Sequence, residues 1–206
     1  VDLNIEDIKR QISKKTKAIC VVYMGGMIPK NILKLVELCK RKKIYLIEDC
    51  AHAHGSSFKN KLAGNFGSIG CFSFFPTKVM TTGEGGMVIT NSKKLHEKCK
   101  AIKHFGRIPS NPLLINLDGG NYKMSEFQAL LGYLELKRIY KRIYRRKKIA
   151  LIYKKKLKEN NKYKIVLPTE GTSSFYKCIF KTKINSSKII EFCKRRGVNL
   201  TGQVWK

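Results

Sequence analysis

Four side chains between residues 49 and 78 are of the types that could hold a planar, electron-withdrawing cofactor. Asp49 ends an apolar run, and His52 follows it in a polar loop. Ser73 lies in a later apolar run, and Lys78 comes in the loop after that run. A lysine amine can form a Schiff base with an aldehyde, and an acid beside a pyridinium nitrogen keeps it protonated as an electron sink. In combination, these residue types meet the requirements of pyridoxal phosphate.

Taken singly, each of these residues has an ordinary structural explanation. Asp49 could equally cap a helix, and a lone lysine in a turn, such as Lys78, is usually only solvated. His52 could hydrogen bond to loop backbone, and Ser73 could simply pack inside a strand. The prediction of a cofactor site therefore depends on the combination and not on any single residue.

Buried strands are expected to position these side chains. Apolar runs predict them at residues 18–24, 44–48, 68–75 and 86–90. The first two are joined by a predicted helix over residues 29–43, and strand, helix and strand within about 30 residues indicate a parallel βαβ unit. Asp49 would then lie at the carboxyl end of a parallel strand, where open α/β sheets bind ligands.

Helices are predicted from amphipathic spacing and from capping residues. Ser125 and Gln128 form a capping box at the N-cap and N3 positions of one helix. Gly, Pro and Asn dominate residues 107–121, which predicts a loop. The predicted helices are residues 4–13, 29–43, 93–104, 126–136, 137–159 and 187–196, the last flanked by short strands at 164–167 and 175–182.

Five motifs in order carry a resemblance to a known family. They are TKAI at 16–19, DCAHAHG at 49–55, FSFFPTK at 72–78, GEGG at 83–86 and a GGNYKMSEFQALLG helix entry from residue 119. The chain resembles the DegT/DnrJ/StrS family of sugar aminotransferases, which have the aspartate aminotransferase fold. Tyr23 stands where this family has His, and Lys123 stands where it has Arg. Arg145, Arg146 and Tyr153 resemble family residues of the following helix.

The resemblance implies an α/β fold, namely a type I pyridoxal-phosphate transferase. We expect an incomplete large domain with a mixed, mostly parallel sheet, followed by the start of a small α+β domain. The implied domains are residues 1–138 for the C-terminal part of the large cofactor-binding domain, 139–160 for a linking helix and 161–206 for the start of the small domain.

The resemblance also implies roles for individual residues. Lys78 would form the Schiff base with pyridoxal phosphate and carry the proton during transfer. Asp49 would pair with the pyridinium nitrogen, His52 would stack on the ring, and Ser73 would bind the phosphate. Asn121 would reach the phosphate of the neighbouring subunit's cofactor, which implies a homodimer with shared active sites.

The activity implied by the resemblance is amino transfer to a nucleotide-linked keto-deoxysugar, with glutamate as the expected donor, in cell-surface polysaccharide biosynthesis. A sugar dehydratase of the same family is an alternative. Those dehydratases carry His in place of the Schiff-base lysine, so Lys78 favours the aminotransferase. His54 and Glu84 also lie in the motifs, and we expect structural roles for them in the loop.

Composition excludes some classes of protein and leaves one alternative open. The 206 residues are 43% hydrophobic, which is too apolar for a disordered chain, and no run approaches the about 18 residues that a membrane span needs. The formal net charge of +29 comes from 43 basic and 14 acidic residues, yet only 9 of the basic residues are Arg. The basic residues are densest at 137–164, which favours a solvated helix face. Tyr140, Tyr144 and Tyr153 fit packing better than base stacking. A basic module that binds nucleic acid is the alternative.

The number and spacing of the cysteines and histidines indicate the cellular compartment of the protein and whether it binds a metal. The seven cysteines are odd in number and form no CxxC pair, which indicates reduced thiols and a cytoplasmic protein. The four histidines have no metal-ligand spacing, so we expect no metal. The chain begins at Val1 without Met, and we expect a fragment that is inactive alone because part of the phosphate site would be missing.

Overall fold

The computed structural model describes residues 2–108, 110–115, 117–157 and 162–202. The chain divides into two compact units. The first comprises the residues up to Lys147 together with Leu167–Lys177, and the second comprises Lys148–Val166 and the residues from Cys178 onward. The assignment of residues 139–160 as a link between a large and a small domain stays a prediction.

A four-stranded sheet forms the centre of the first unit. Its strands are β1 (Ala18–Val22), β2 (Tyr45–Asp49), β5 (Ile69–Ser73) and β6 (Gly86–Ile89), in the order β1-β2-β5-β6. The first three are parallel, and β6 is antiparallel to β5. The four predicted strands are thus confirmed with their ends shifted by up to two residues, and the sheet is mixed and mostly parallel. Between β2 and β5, β3 (Ser57–Phe58) and β4 (Lys61–Leu62) form a small antiparallel hairpin.

Three helices of this unit begin where capping or turn residues dictate. Helix α1 (Ile5–Gln11) starts at Asn4, whose side chain accepts a hydrogen bond from the Asp7 N–H. Helix α2 (Ile32–Lys42) starts three residues later than expected, because a turn in which Ile32 N donates to Pro29 O comes first. Helix α3 (Lys93–Lys103) is capped by Ser92, whose side chain accepts a hydrogen bond from the Leu95 N–H.

Two apolar clusters support the sheet and the loop that follows β5. In the first, buried side chains of α2 pack with Leu46 and Tyr23. In the second, Val79 and Met80 are buried with Ile139 and Ile143. Because Val79 and Met80 directly follow Lys78, this second cluster anchors the lysine loop.

Two sequence predictions in the second half of this unit are wrong. Part of the predicted loop 107–121 is a hairpin of β7 (Arg107–Ile108) and β8 (Asn111–Ile115), in which Ile115 pairs with Arg107 and Asn111 with Ile108. The apolar residues 113–115 continue as a strand in spite of the Pro and Asn before them. The two helices predicted at 126–136 and 137–159 are one helix, α4 (Glu126–Leu157). No Gly or Pro interrupts residues 133–157, so the backbone continues. Residue 159, the predicted end, lies outside the described residues.

The predicted capping box of α4 is confirmed. Gln128 N donates to Ser125 Oγ at 3.3 Å, and Ser125 N donates to Gln128 Oε1 at 2.9 Å. The Gln128 amide also donates to Glu84 O at 3.0 Å, which ties the start of α4 to the GEGG loop. A sequence-local cap therefore also fixes a long-range contact.

The second unit contains a short antiparallel pair and a helix. Strand β9 (Tyr163–Val166) pairs with β10 (Ile179–Thr182), and α5 (Ser186–Lys194) follows. The strands therefore pair with each other before the helix and do not flank it. Ile165 and Ile179 are buried in this unit.

The tyrosines of α4 do not pack as expected. Tyr140 and Tyr144 are 69% and 60% exposed. Tyr153 is 45% exposed, although its ring meets Phe180 edge-on at 5.6 Å. Across the part of the chain that the structure describes, no helix is both long and apolar enough to span a membrane.

Candidate active site

The carboxyl edge of the sheet brings two of the predicted site residues together. Asp49 is the last residue of β2, and Ser73 is the last residue of β5. These strands are adjacent and parallel, with Asp49 in register with Cys71. Ligands of open α/β sheets bind outside this edge, so the position supports the predicted site.

The Asp49 carboxylate has one oxygen engaged by the backbone. Its Oδ1 accepts a hydrogen bond from Ala51 N at 3.0 Å, which closes the turn that leaves β2. The Asp49 side chain is half-buried. The pKa of the Cys20 and Cys71 thiols is raised first by the burial of each thiol and then by the negative charge of Asp49. A negative charge is thus held at the sheet edge.

His52 forms a flat, half-buried platform. Its Nδ1 accepts a hydrogen bond from Gly25 N at 3.4 Å, and its carbonyl accepts one from Ser174 Oγ. Its ring stacks on the Tyr176 ring with centroids 4.2 Å apart and an interplanar angle of 25°. Burial, followed by the charge of Lys78, lowers the pKa of His52, which favours the neutral imidazole.

Lys78 extends toward the same aromatic ring. Its Nζ lies 5.0 Å from the centroid of Tyr176, within the range of a cation–π interaction. The hydroxyl of Thr77 lies 3.1 Å from the Tyr176 hydroxyl. Lys78, His52 and Tyr176 therefore form one cluster.

The loop that carries Lys78 is closed by backbone hydrogen bonds. Phe74 N donates to Gly85 O at 2.8 Å, and Phe74 O accepts from Thr82 N at 3.0 Å. Gly85 has a φ of 148°, and a Cβ there would lie 2.5 Å from Thr82 Oγ1. The GEGG motif therefore includes a position where glycine allows close backbone approach.

Ser73 lies at the end of β5, whereas Asn121 lies in the loop before α4. Ser73 Oγ accepts a hydrogen bond from Phe75 N at 3.4 Å, which leaves its own O–H free to donate to an anion. Asn121 is exposed in the loop ahead of α4, where it forms an antiparallel bridge with His104. The roles assigned to Lys78, Asp49, His52, Ser73 and Asn121 by resemblance stay predictions.

Sequence reasoning missed a buried serine pair that holds His52 and Tyr176. Ser56 Oγ donates to Gly26 O at 2.6 Å and accepts from Ser174 N at 2.9 Å. Ser174 Oγ in turn accepts from Tyr176 N at 3.3 Å. Because Ser56 and Ser174 are 118 positions apart, no local pattern could have indicated the pair.

Glu48 was also missed, although it directly precedes Asp49. It is fully buried and accepts hydrogen bonds from the Tyr23 hydroxyl at 2.7 Å and from Gly64 N at 2.7 Å. Phe66 N and Gly67 N donate to its other oxygen at 2.6 and 2.5 Å. A carboxylate inside an apolar strand was the available signal, since such a group is rarely buried without partners.

His54 is buried beside the candidate site, and the structural role that we expected for it stays a prediction. It is 4% exposed and lies against the Phe72 and Phe74 rings, with centroids 5.4 and 5.8 Å away. Neither ring nitrogen makes a hydrogen bond of normal geometry, although the Ser73 backbone is nearby. Burial is the main cause that lowers its pKa to about 4.

The seven cysteines, all among the described residues, form no disulfide, and no described cluster could hold a metal. Cys39 and Cys50 are buried, and Cys20 is exposed. Among the described residues, no three His, Cys, Asp or Glu side chains are grouped as a metal site would require.

Known proteins resemble this chain in both sequence and structure. The chain is 41% identical over 155 residues to the GDP-perosamine synthase of Escherichia coli O157:H7, covering 75% of this chain and 42% of that protein. It superimposes with a TM-score of 0.88 on the aminotransferase TlmJ from Streptoalloteichus hindustanus, at 25% identity over 96% of this chain and 55% of that one. The TM-score is 0.84, at 26% identity, with an E. coli GDP-4-keto-6-deoxy-D-mannose-3-dehydratase solved with bound hydrated pyridoxal phosphate, covering 95% of this chain and 55% of that one.

These likenesses confirm the predicted type I transferase fold. The chain spans 42% of the length of the curated synthase and about half of each solved chain. The profile of one family matches residues 1–203. The chain belongs to the DegT/DnrJ/EryC1/StrS aminotransferase family.

Proposed function

We propose that this protein is a pyridoxal-phosphate-dependent aminotransferase that transfers an amino group to a nucleotide-linked keto-deoxysugar. The observation that carries the proposal is the cluster of Lys78 with the flat His52 ring, beside the sheet edge where Asp49 lies. A relative at 41% identity is a GDP-perosamine synthase, which supports a nucleotide sugar as substrate. We further propose glutamate as amino donor and a cytoplasmic role in making cell-surface polysaccharide.

The side chains present fit pyridoxal phosphate. A planar six-membered ring already stacks on His52 in this structure, namely that of Tyr176, with the Lys78 ammonium 5.0 Å from its centre. A flat aromatic ring thus lies against the imidazole and near the lysine amine, which supports a flat cofactor ring at this position. Ser73 offers a free hydroxyl donor for the phosphate, and Asp49 offers a carboxylate for the pyridinium N–H.

The chemistry of each residue follows from its contacts. Pyridoxal phosphate, when bound, supplies an electron sink for negative charge on the carbon next to the transferred nitrogen. Lys78 Nζ would hold the cofactor covalently until the amine of the donor displaces it, and the freed Lys78 amine would then move a proton to and from that carbon. Asp49 would hold a proton on the ring nitrogen, and neutral His52 would cover the ring without adding a competing positive charge.

The dehydratase alternative is less favoured by the residue at position 78. A dehydratase of this fold matches with a TM-score of 0.84, so the fold alone does not separate the two reactions. By resemblance, dehydratases of the family have His in place of the lysine. Lys78 retains the primary amine that amino transfer uses, and its Nζ lies in the site.

We also propose a homodimer with shared active sites. The first turns of α4 carry exposed apolar side chains, including Phe127 at 87% and Leu130 at 59%. Asn121 lies just before this helix and is exposed. A second copy covering this face would remove apolar surface from water and could place Asn121 beside the partner's cofactor. Analytical ultracentrifugation of the whole protein with a Leu130→Glu variant tests the assembly.

The test of the proposed function is to trap the cofactor on its lysine. The whole protein is incubated with pyridoxal phosphate, reduced with borohydride and digested, and the pyridoxyl peptide is identified by mass spectrometry. We expect the label on Lys78. Lys177 is the matched control, because its Nζ also lies over Tyr176, at 5.3 Å, on an exposed residue.

The variants separate specific from incidental labelling. Lys177→Arg should keep full labelling, whereas Lys78→Arg should abolish it. Folded protein in excess cofactor that is labelled only on surface lysines, or on none, would contradict the proposal. A Lys78 label accompanied by loss of a sugar hydroxyl, without amination, would instead identify the dehydratase.

A further inference from the structure

We propose that Tyr23 and Glu48 are positioning residues of the cofactor site, which hold the His52 ring through the backbone of Gly25. The inference rests on the proposed function. It concerns a buried pair that touches neither Lys78 nor the expected cofactor position. Tyr23 directly follows β1, and Glu48 lies on β2, next to its last residue.

Glu48 is a fixed acceptor at the centre of this arrangement. Its two oxygens receive four hydrogen bonds, one from the Tyr23 hydroxyl and three from backbone N–H groups. A carboxylate has about four acceptor positions, so the surrounding donors use all of them. The carboxylate therefore cannot rotate or move without leaving buried donors unpaired.

Tyr23 connects the fixed Glu48 carboxylate to the carboxyl ends of β1 and β2. Burial and the Glu48 charge raise the pKa of its phenol, which stays a donor. Its backbone N–H donates to the carbonyl of Asp49 at 3.1 Å, and its carbonyl accepts from Gly26 N at 2.9 Å. One residue thus joins Glu48, Asp49 and the turn that follows β1.

That turn reaches the imidazole. Met24–Gly26 form a single 3₁₀ turn in which Gly25 has a φ of 66°. The Gly25 N–H donates to His52 Nδ1 at 3.4 Å, so this nitrogen acts as an acceptor and any ring proton sits on Nε2. The turn therefore sets both the orientation and the tautomer of His52.

The proposed positioning of His52 depends on the hydroxyl of Tyr23 more than on its ring. The ring is buried in an apolar cluster that a phenylalanine would fill equally well. Only the hydroxyl reaches Glu48. A Tyr23→Phe substitution should leave the packing intact and release the turn from the carboxylate.

The experiment compares cofactor binding and the spectrum of the bound cofactor in the whole protein. We expect Tyr23→Phe to weaken pyridoxal phosphate binding by about 10-fold, as loss of a supporting residue behind a bound group does. We also expect it to reduce the induced circular dichroism band of the bound cofactor, because that band depends on how the ring is held. Both are measured well below the unfolding temperature.

The control is Ile32→Val in the same cluster. Ile32 is fully buried, and its substitution removes one methylene group without touching the polar network. It should lower stability while leaving cofactor affinity and dichroism unchanged. Equal affinity and equal dichroism in Tyr23→Phe and wild type would overturn the proposal, as would the same change in both variants.

A second measurement applies even where Tyr23→Phe does not fold. In the wild-type protein, pyridoxal phosphate should slow hydrogen exchange in a peptide spanning residues 22–27 more than in a peptide from α3. Equal effects on the two peptides would overturn the proposal. Failure of the proposed function looks different, because the wild-type protein would then bind no cofactor at all.

Discussion

Two regions of the first unit differ in the number of their charged groups and in whether those groups are buried. The buried polar network consists of Tyr23, Glu48, Ser56 and Ser174, all of which are fully buried and hydrogen bonded. The basic helix surface consists of exposed side chains of α4, namely Lys137, Arg138, Lys141, Arg145 and Lys147. The first region contains a single formal charge, and the second contains five.

The contrast shows that the amount of charge in a region and the precision with which charge is placed are separate properties of this chain. A buried carboxylate must keep every partner, because an unpaired polar group in the interior is costly. Exposed lysines are solvated, and their ion pairs contribute about 0–1 kcal/mol. The net charge of +29 therefore describes the surface, whereas the candidate site depends on a few placed groups.

The largest expected effect comes from Lys78. Substitution Lys78→Arg keeps a cation over Tyr176 but removes the primary amine, so we expect amino transfer to fall by about 10³-fold or more. The measurement is a single-turnover assay of the whole protein with excess cofactor. Lys177→Arg, on the neighbouring exposed lysine, should retain activity within about 2-fold, since surface substitutions are mostly tolerated. Similar losses in both variants would contradict a special role for the Lys78 amine, because both variants keep the positive charge and only one removes that amine.

The next effect separates buried from exposed carboxylates. Glu48→Ala leaves four buried donors without an acceptor, and we expect it to lower the free energy of unfolding by about 4 kcal/mol. Glu37→Ala, whose exposed side chain lies 3.9 Å from Arg41, should change it by less than about 0.5 kcal/mol. Urea unfolding followed by circular dichroism measures both. A small change for Glu48→Ala would show that water replaces the lost acceptor.

A third effect concerns the buried imidazole of His54. Its pKa is about 4 in the folded protein and about 6.5 when unfolded, so the unfolded chain binds the proton more tightly. The stability that this provides is complete above pH 6.5 and is lost as the pH falls toward 4, by up to about 3 kcal/mol. His54→Phe should remove that part of the acid sensitivity.

Unfolding measured between pH 4 and 7.5 tests this pH dependence. The difference in stability between wild type and His54→Phe should shrink or reverse as the pH falls. His96→Gln, on an exposed histidine, should follow the wild-type curve. Parallel curves for wild type and His54→Phe would mean that His54 takes up its proton equally in both states.

Features that depend on residues close together in the sequence could be predicted, whereas features that depend on residues far apart in the sequence could not. A candidate site could be proposed from the sequence because Asp49, His52, Ser73 and Lys78 lie within 30 positions, in or shortly after predicted strands, and the roles of these residues stay predictions. The strands themselves follow from apolar runs bounded by polar turns. Where one element and its cap are local, as with Ser125 and Gln128, the prediction is confirmed.

What the sequence could not indicate depends on contacts between distant segments. Tyr176 reaches His52 from a segment more than 100 positions away, and no pattern in residues 172–177 marks it. The hairpin at 107–115 was hidden because Pro and Asn suggested a loop. Packing of Tyr140 was also expected and is wrong, because the apolar side of α4 that is buried there carries Ile139 and Ile143.

The smallest expected effect tests the basic helix surface. The triple variant Lys137→Gln, Lys141→Gln, Lys147→Gln should change the free energy of unfolding by about 1 kcal/mol or less and leave cofactor affinity unchanged, because these side chains are solvated. It should weaken the binding of a single-stranded oligonucleotide and reduce its salt dependence, since each lost lysine removes one counterion-releasing contact.

Exposed Tyr140 decides between a charged surface and a nucleic-acid module. Its ring is 69% exposed next to Lys137 and Lys141, the arrangement that base stacking would use. Stacking contributes about 1–3 kcal/mol per base, so a module would lose about 10-fold in affinity on Tyr140→Ala. We expect no such loss, because binding through solvated lysines depends on charge and not on aromatic faces. A loss of that size at constant salt would instead assign the helix surface a role of its own, separate from the buried site.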